Sequence, residues 1–137
     1  MDFLRVLIVE DEAIIASNVE SALTEAGHAV CGIAVSQAEA IQLAGATRPD
    51  CAVVDISLRP GDGRVVARAL AAQGVAVLFA TGQCADVRSL SGTGALGCLP
   101  KPYSADDVPV ALTAIFRRRR GDAQAKLPGK MFFLDAA

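Results

Sequence analysis

Cys51-Ala52-Val53-Val54-Asp55-Ile56-Ser57-Leu58-Arg59-Pro60-Gly61-Asp62-Gly63 is the stretch whose reading decides the fold. An apolar run bounded by turn formers describes a strand buried on both faces, which is what a parallel sheet produces. Asp55 closes that strand and opens a loop. A carboxylate at the C-terminal end of a parallel strand stands where open α/β sheets bind ligands. Taken alone, such an aspartate is a helix cap or a turn residue. Its neighbours raise it above that, because other strands of the chain also end in charged or hydroxyl residues.

Working back toward the N-terminus, Arg48-Pro49-Asp50 turns into the Cys51 strand. Ahead of it, Ser36-Gln37-Ala38-Glu39 has capping-box spacing and opens a helix to about Thr47. Residues 29–35 form a strand. Residues 4–9 form the first strand, ending at Glu10-Asp11-Glu12. The helix that follows runs to about Ala26, with Ile15, Val19, Ala22, Leu23 and Ala26 on one face and Gly27 as its stop. Acidic residues in its first turn also suit the helix dipole. His28, at a helix–strand turn, is given no role.

Toward the C-terminus, Arg64 to Gln73 is helical and Gly74 ends it. Val75 to Ala80 is a strand delivering Thr81-Gly82. Gln83 to Gly94 is the weakest predicted helix, because its Ser, Thr and Gly residues favour turns. A short strand from Ala95 to Leu99 leads to Pro100-Lys101-Pro102-Tyr103, where Lys101–Pro102 is a candidate cis bond. Ser104 or Asp107 then caps a last helix carrying Val108, Leu112, Ile115 and Phe116 on one face, with Pro109 in its first turn. Arg117 to Arg120 sit at its negative pole. Five strands alternating with five helices define a doubly wound (βα)5 α/β sandwich of three layers, with a parallel sheet in the order 2-1-3-4-5.

At 137 residues the chain supports one domain. The expected division is a domain over residues 1–120 and a short tail over 121–137 that is too small for an output domain. Hydrophobic residues make up 53% of the chain, yet none of its apolar runs approaches the ~20 residues of a membrane span. No signal peptide is visible after Met1, so a cytoplasmic protein without membrane partners is expected. A formal charge of −2 argues against a nucleic-acid binder, and the arginine run reads as a solvated helix end. Cys31, Cys51, Cys84 and Cys98 lack Cys-x-x-Cys spacing and read as small buried apolar residues of a reduced protein. Met131-Phe132-Phe133-Leu134 either folds back on the domain, the expected outcome, or docks on a second copy to make a dimer.

In a parallel sheet all C-terminal strand ends share one edge. Glu10 and Asp11, Asp55, Thr81 and Lys101 therefore meet there. Each alone has an ordinary explanation; five together at strand ends do not. Like charges 4 Å apart repel by on the order of 4 kcal/mol at an effective dielectric of 20, so the cluster must take up protons or hold a cation. Oxygen-only ligands favour Mg²⁺ or Mn²⁺. A metal, a lysine and a hydroxyl facing an open carboxylate make a phosphoryl-transfer site in which aspartate forms an acyl phosphate. Backbone N–H groups after Asp55 and Thr81 can bind the remaining oxygens.

From residue 3 to about residue 120 the chain resembles a response-regulator receiver domain of two-component signalling. The matching pieces are Leu7-Ile8-Val9-Glu10-Asp11-Glu12, Val53-Val54-Asp55, Ala80-Thr81-Gly82 and Leu99-Pro100-Lys101-Pro102-Tyr103. The resemblance implies that Asp55 accepts phosphate from a histidine kinase or a histidine phosphotransfer protein. It implies that Glu10, Asp11, Asp55 and the Ser57 carbonyl hold Mg²⁺. Thr81 and Lys101, with the N–H groups of Ser57 and Gly82, would contact the phosphoryl group. A face built from the fourth helix, fifth strand and fifth helix would carry the signal to a downstream protein.

The chain departs from the family where receivers carry an aromatic switch three residues before the lysine, since Cys98 stands there. The switch set is then Thr81, Cys98 and Tyr103, although Tyr103, beyond the lysine, cannot take the aromatic's place. Phe79-Ala80-Thr81-Gly82 is similar to the FAT-GUY subgroup, often single-domain regulators in stress-response phosphorelays, but Cys84 replaces that motif's aromatic. Coupling is expected to run through the Gly-rich segment before the fifth strand. Ser57 and Gln83 occupy positions that resemble the family's tuners of phosphate lifetime. Non-enzymatic switching is the leading expectation, with a phosphorelay intermediate or phosphate sink as the alternative. A haloacid-dehalogenase-like phosphatase fits poorly, because Ser57 stands where that family places a second aspartate. An unphosphorylated scaffold fits poorly too, because every phosphoryl-site side chain is present.

Overall fold

The computed structural model describes residues 3–82, 84, 90–121 and 127–134. Its strands are β1 (Arg5–Val9), β2 (Ala29–Ala34), β3 (Cys51–Val54), β4 (Ala76–Thr81), β5 (Gly97–Pro100) and β6 (Phe132–Phe133). Its helices are α1 (Ala13–Glu25), α2 (Gln37–Thr47), α3 (Gly63–Ala72) and α4 (Asp107–Arg119). The sheet order is β2-β1-β3-β4-β5-β6. The first five strands are parallel in the expected 2-1-3-4-5 order. The sixth is an addition that the sequence reading did not contain, pairing antiparallel with β5. Of the expected fourth helix, Gln83 and residues 85–89 lie outside the described residues. That segment closes in a turn, where the Thr93 hydroxyl donates to the Leu90 carbonyl at 2.7 Å.

The central strands β3 and β4 are buried throughout, as their unbroken apolar runs require. One core lies between the sheet and the α2/α3 layer, around Leu7, Val54, Val66, Leu70 and Phe79. The other lies between the sheet and the α1/α4 layer, around Ile8, Leu23, Leu78, Leu112 and Ile115. Ser36 caps the helix as its spacing dictates, but the reciprocal bond that Glu39 accepts comes from Val35, one residue before the N-cap. The Glu39 N–H donates to Ser36 Oγ (3.2 Å), and Glu39 Oε1 accepts the Val35 N–H (2.8 Å). Pro109 lies in the first turn of α4. Neither Ser104 nor Asp107 caps that helix, however: its N-cap is Asp106, and Asp107 Oδ2 accepts the Ser104 N–H instead. Lys101–Pro102 is cis, as is Arg59–Pro60.

Two expectations about small residues change. Cys84 and Cys98 are joined in a disulfide with their Cα atoms 6.1 Å apart, whereas all four cysteines were expected as separate buried thiols. Spacing in sequence could not reveal this pair, because the two cysteines are 14 residues apart and meet only where the chain leaving β4 lies against β5. Cys31 and Cys51 remain thiols. The tail folds back as expected: Met131 and Phe133 pack on the α1/α4 side, Phe132 and Leu134 on the other. That alternation is the period of a strand. Gly97 makes room for it, since a Cβ there would come within 3.1 Å of Met131 Cε and Ile115 Cγ2.

Candidate functional site

Register assembles the site. Val9 of β1 is level with Val54 of β3, so the residues that follow, Glu10 and Asp55, emerge side by side. The Asp55 N–H donates to the Val9 carbonyl and the Glu10 N–H to Ala34, both at 2.9 Å. Thr81 of β4 is level with Pro100 of β5, and the Lys101 N–H donates to the Thr81 carbonyl at 2.9 Å. The Lys101 side chain then reaches across the edge. Its Nζ lies 2.8 Å from Asp55 Oδ2 and 3.1 Å from Glu10 Oε1. Asp55 Oδ1 accepts the Ser57 N–H at 3.0 Å, and the buried Thr81 hydroxyl donates to the same carboxylate. Glu10 Oε2 accepts the Glu12 N–H at 3.2 Å. The expected acidic first turn of α1 is therefore a pre-helical cluster, since α1 begins at Ala13 and has no acidic residue in its first turn.

Carboxylate oxygens of Glu10, Asp11 and Asp55 all lie within 4.8 Å of one another. Two of these residues are only 4% exposed, so their charges face little solvent. Burial pushes Glu10 up to about 7, with the Asp55 charge adding to the rise against the Glu12 N–H and Lys101. Burial also acts to raise Asp55, but hydrogen bonds from Lys101, the Ser57 N–H and Thr81 outweigh it and hold Asp55 below the usual carboxylate range. Burial works against the Lys101 ammonium, and its bonds to Asp55 and Glu10 overcome that and raise its pKa. Two neighbouring carboxyls with opposite shifts leave Asp55 ionised and Glu10 poised near neutrality. A set of hard oxygen donors around an ionised aspartate fits a small divalent cation and does not fit a soft metal.

The structure brings together Glu10, Asp11, Asp55, Ser57, Thr81 and Lys101. A Cβ added at Gly82 would meet nothing within 4 Å, so the backbone after Thr81 borders open space. Gln83 lies outside the described residues. Cys98 is fully buried, opposite Phe79 on one side and Phe132 on the other. Tyr103 packs half-buried beside α1, where burial and then the Glu10 charge push its hydroxyl up to about 12. It helps line a cleft of about 410 Å³ with Ile15, Asn18, Val19, Pro102 and Lys101.

Two residues escaped the sequence reading. Gln37 Oε1 accepts the Asp62 N–H (3.0 Å) and the Gln37 N–H donates to the Pro60 carbonyl (3.3 Å), tying the loop after Asp55 to the start of α2. Nothing in its spacing marks it. Gly63 lies against the backbone of Asp55 and Ile56, where any Cβ would collide. The Gly61-Asp62-Gly63 pattern marks a turn but not that approach.

A doubly wound sheet with a lysine-bridged acidic cleft at its carboxyl edge places the molecule among the α/β proteins that bind their ligands at strand ends. More narrowly, the family model of the response regulator receiver domain matches residues 6–113, and the chain belongs to that family. It is 35% identical over 119 residues to the transcriptional regulatory protein PdtaR of Mycobacterium tuberculosis, covering 84% of this chain and 58% of that protein. It is 29% identical over 136 residues to the two-component response regulator PhoP of Pseudomonas aeruginosa, covering 96% and 60%. The chain thus spans about three-fifths of these relatives. The signal receiver domain of a modulated diguanylate cyclase from Desulfovibrio desulfuricans G20 superposes with a TM-score of 0.78 at 30% identity, over 88% of this chain and 99% of that one. The anti-anti-sigma factor PhyR from Bartonella quintana gives 0.71 at 27% identity, over 90% of this chain and 51% of that one. The chain is a receiver domain of two-component signalling, a family of phosphoryl-accepting switches that act on downstream partners. Among the described residues no helix is long and apolar enough to cross a membrane.

Proposed function

We propose that Asp55 is the phosphoryl acceptor of this receiver domain and that a histidine kinase or histidine phosphotransfer protein is the donor. The observation that carries this is the held, ionised Asp55 carboxylate, with Lys101 Nζ at 2.8 Å and the Ser57 N–H at 3.0 Å. An Asp55 oxygen attacks phosphorus, the new P–O bond forms as the P–N bond of the phosphohistidine breaks, and the ring, already protonated on its other nitrogen, leaves as neutral imidazole. Lys101 and the Thr81 hydroxyl move from the carboxylate to the phosphoryl oxygens, where the Ser57 and Gly82 N–H groups assist. Glu10, Asp11, Asp55 and the Ser57 carbonyl would hold Mg²⁺, which when bound offsets charge on the transferring group. Ser57 and Gln83, two residues after Asp55 and Thr81 in sequence, take the family's positions for tuning phosphate lifetime. The cleft beside Tyr103 shares Lys101 with the acceptor site and suits a docking donor helix.

The output is a protein contact made by the face around β5 and α4, with Thr81, Cys98 and Tyr103 as its moving parts. A protein target suits the net charge of −2 better than nucleic acid does, and the name anti-anti-sigma factor of the Bartonella relative states such an output for that protein. The test is incubation with Mg²⁺ and acetyl phosphate, followed by phosphate-affinity electrophoresis of the wild type and Asp55→Asn. A retarded band is expected for the wild type alone. A band that persists in Asp55→Asn relocates the acceptor, and no band in either removes the phosphoryl role.

A further inference from the structure

The Cys84–Cys98 bond sits at a junction. Cys84 follows Thr81 by three residues, on the chain leaving the acidic cleft, and Thr81 itself binds Asp55. Cys98 is in β5, which pairs with β4 on one side and with the tail strand β6 on the other. One covalent bond therefore connects the end of the acceptor site to the edge strand and, through β6, to the tail. The other two cysteines lie on β2 and β3, away from this junction. We propose that Cys84 and Cys98 are a reversible thiol–disulfide site, exchanging with low-molecular-weight disulfides and dithiols, that links Cys84, three residues past Thr81, to β5.

The exchange balances with those reagents alone. Cys84, 4% exposed against 0% for Cys98, meets the reagent first. Its thiolate attacks a small disulfide, a mixed disulfide forms and one small thiolate leaves. The Cys98 thiolate then attacks the Cys84 sulfur and expels the second. Two electrons pass from the protein pair to the reagent, and the two protons end on the released thiols. A dithiol reverses both steps. With the bond closed, Cys84 and β5 cannot separate. With the bond open, packing alone holds Cys84 against β5, and the turn at residues 90–94 and the β5–β6 edge lose that tether. A further consequence rests on the reading of Asp55 as acceptor: phosphoryl capture alters the β5–β6 edge in the dithiol form and leaves it unchanged in the disulfide form.

The experiment uses the full chain, incubated with oxidised glutathione or with dithiothreitol. Alkylation under denaturing conditions and peptide mapping count the thiols, with Cys31 and Cys51 as internal standards. Amide exchange is then followed over residues 90–99 and 131–134, with and without Mg²⁺ and beryllium fluoride. Oxidised protein should protect Cys84 and Cys98 from alkylation, and its exchange over 90–99 should be about tenfold slower than in the reduced form. Cys84→Ala, or Cys98→Ala if the first folds poorly, should exchange like reduced protein under both conditions. Four alkylated cysteines after oxidation, or equal exchange in both redox forms, would overturn the thiol site. A redox difference with no effect of beryllium fluoride in either form supports the thiol site and overturns its coupling to phosphoryl capture, while the Asp55 reading stands or falls on the electrophoretic test.

Discussion

The acidic edge at the ends of β1, β3 and β5 and the outer edge formed by β5 and β6 share a strand, yet they are held together by different physics. At the acidic edge, buried charges are balanced against one another: Lys101 bridges Asp55 and Glu10, residues 46 and 91 positions away in sequence. At the outer edge the partners are apolar, with Met131 buried on one face of the sheet and Leu134 buried with the cystine on the other. The first arrangement is stable only while charge is matched. The second depends on area removed from water, which a change of pH leaves in place. The acidic edge can thus answer a change in charge, while the outer edge answers a change in what covers it.

Lys101→Met strikes the first edge hardest. It leaves two carboxyls, each 4% exposed, without their cation. Removing one partner of a buried pair costs about 3 kcal/mol. The signs of the two carboxyls set the pH dependence. Glu10 has a folded value near 7 against an ordinary 4.5, so its contribution to stability is complete below 4.5 and is lost as pH rises through 7. Asp55 is depressed below 3.8, so it contributes above that value and fades as pH falls through its folded value. Without Lys101 the Asp55 contribution shrinks and the Glu10 loss steepens. Urea melts in EDTA should therefore show a larger deficit at pH 8 than at pH 6, where Glu10 carries a proton. An equal deficit at both would mean that Lys101 acts through packing.

Removing residues 127–137 attacks the second edge. Met131 and Leu134 are 6% and 7% exposed, and burying such side chains stabilises by about 1.5–3 kcal/mol each before the entropy of ordering the tail is subtracted. A net loss of about 2 kcal/mol is expected in urea melts, nearly independent of pH. Acceptor chemistry should survive, because the ladder that positions Lys101 runs through β4. A pH-dependent loss would show that the two edges are not separate.

How much of each edge was legible follows from the same contrast. Glu10, Asp55, Thr81 and Lys101 could be gathered from sequence because each ends an apolar run, and parallel topology sends all such ends to one side. The pairings within that gathering were not legible. Nothing in spacing says that Lys101 reaches Glu10 as well as Asp55, or that Gln37 holds the loop after Asp55, since those contacts depend on side-chain reach. The outer edge was legible in composition but not in partner. Met131 to Leu134 announced an apolar segment that must be covered, while its strand pairing depends on the absence of a side chain at Gly97. The cystine was hidden because a cysteine packs like any small apolar residue until a second sulfur is placed beside it.

Arg118→Ala should have the smallest effect and makes the finest distinction between the edges. The guanidinium of Arg118 lies 4.2 Å from the centre of the Phe133 ring, so one residue of the arginine run braces the tail. An exposed contact of this kind is worth about 0.5–1 kcal/mol. If the outer edge is held by apolar area with this contact as a supplement, Arg118→Ala should lower stability by that amount in the full chain and by nothing in the chain lacking residues 127–137. A double-mutant cycle on urea melts measures the difference. Equal losses in both backgrounds would assign Arg118 to α4 itself, where a cation in the last turn opposes the helix dipole whether or not the tail is present.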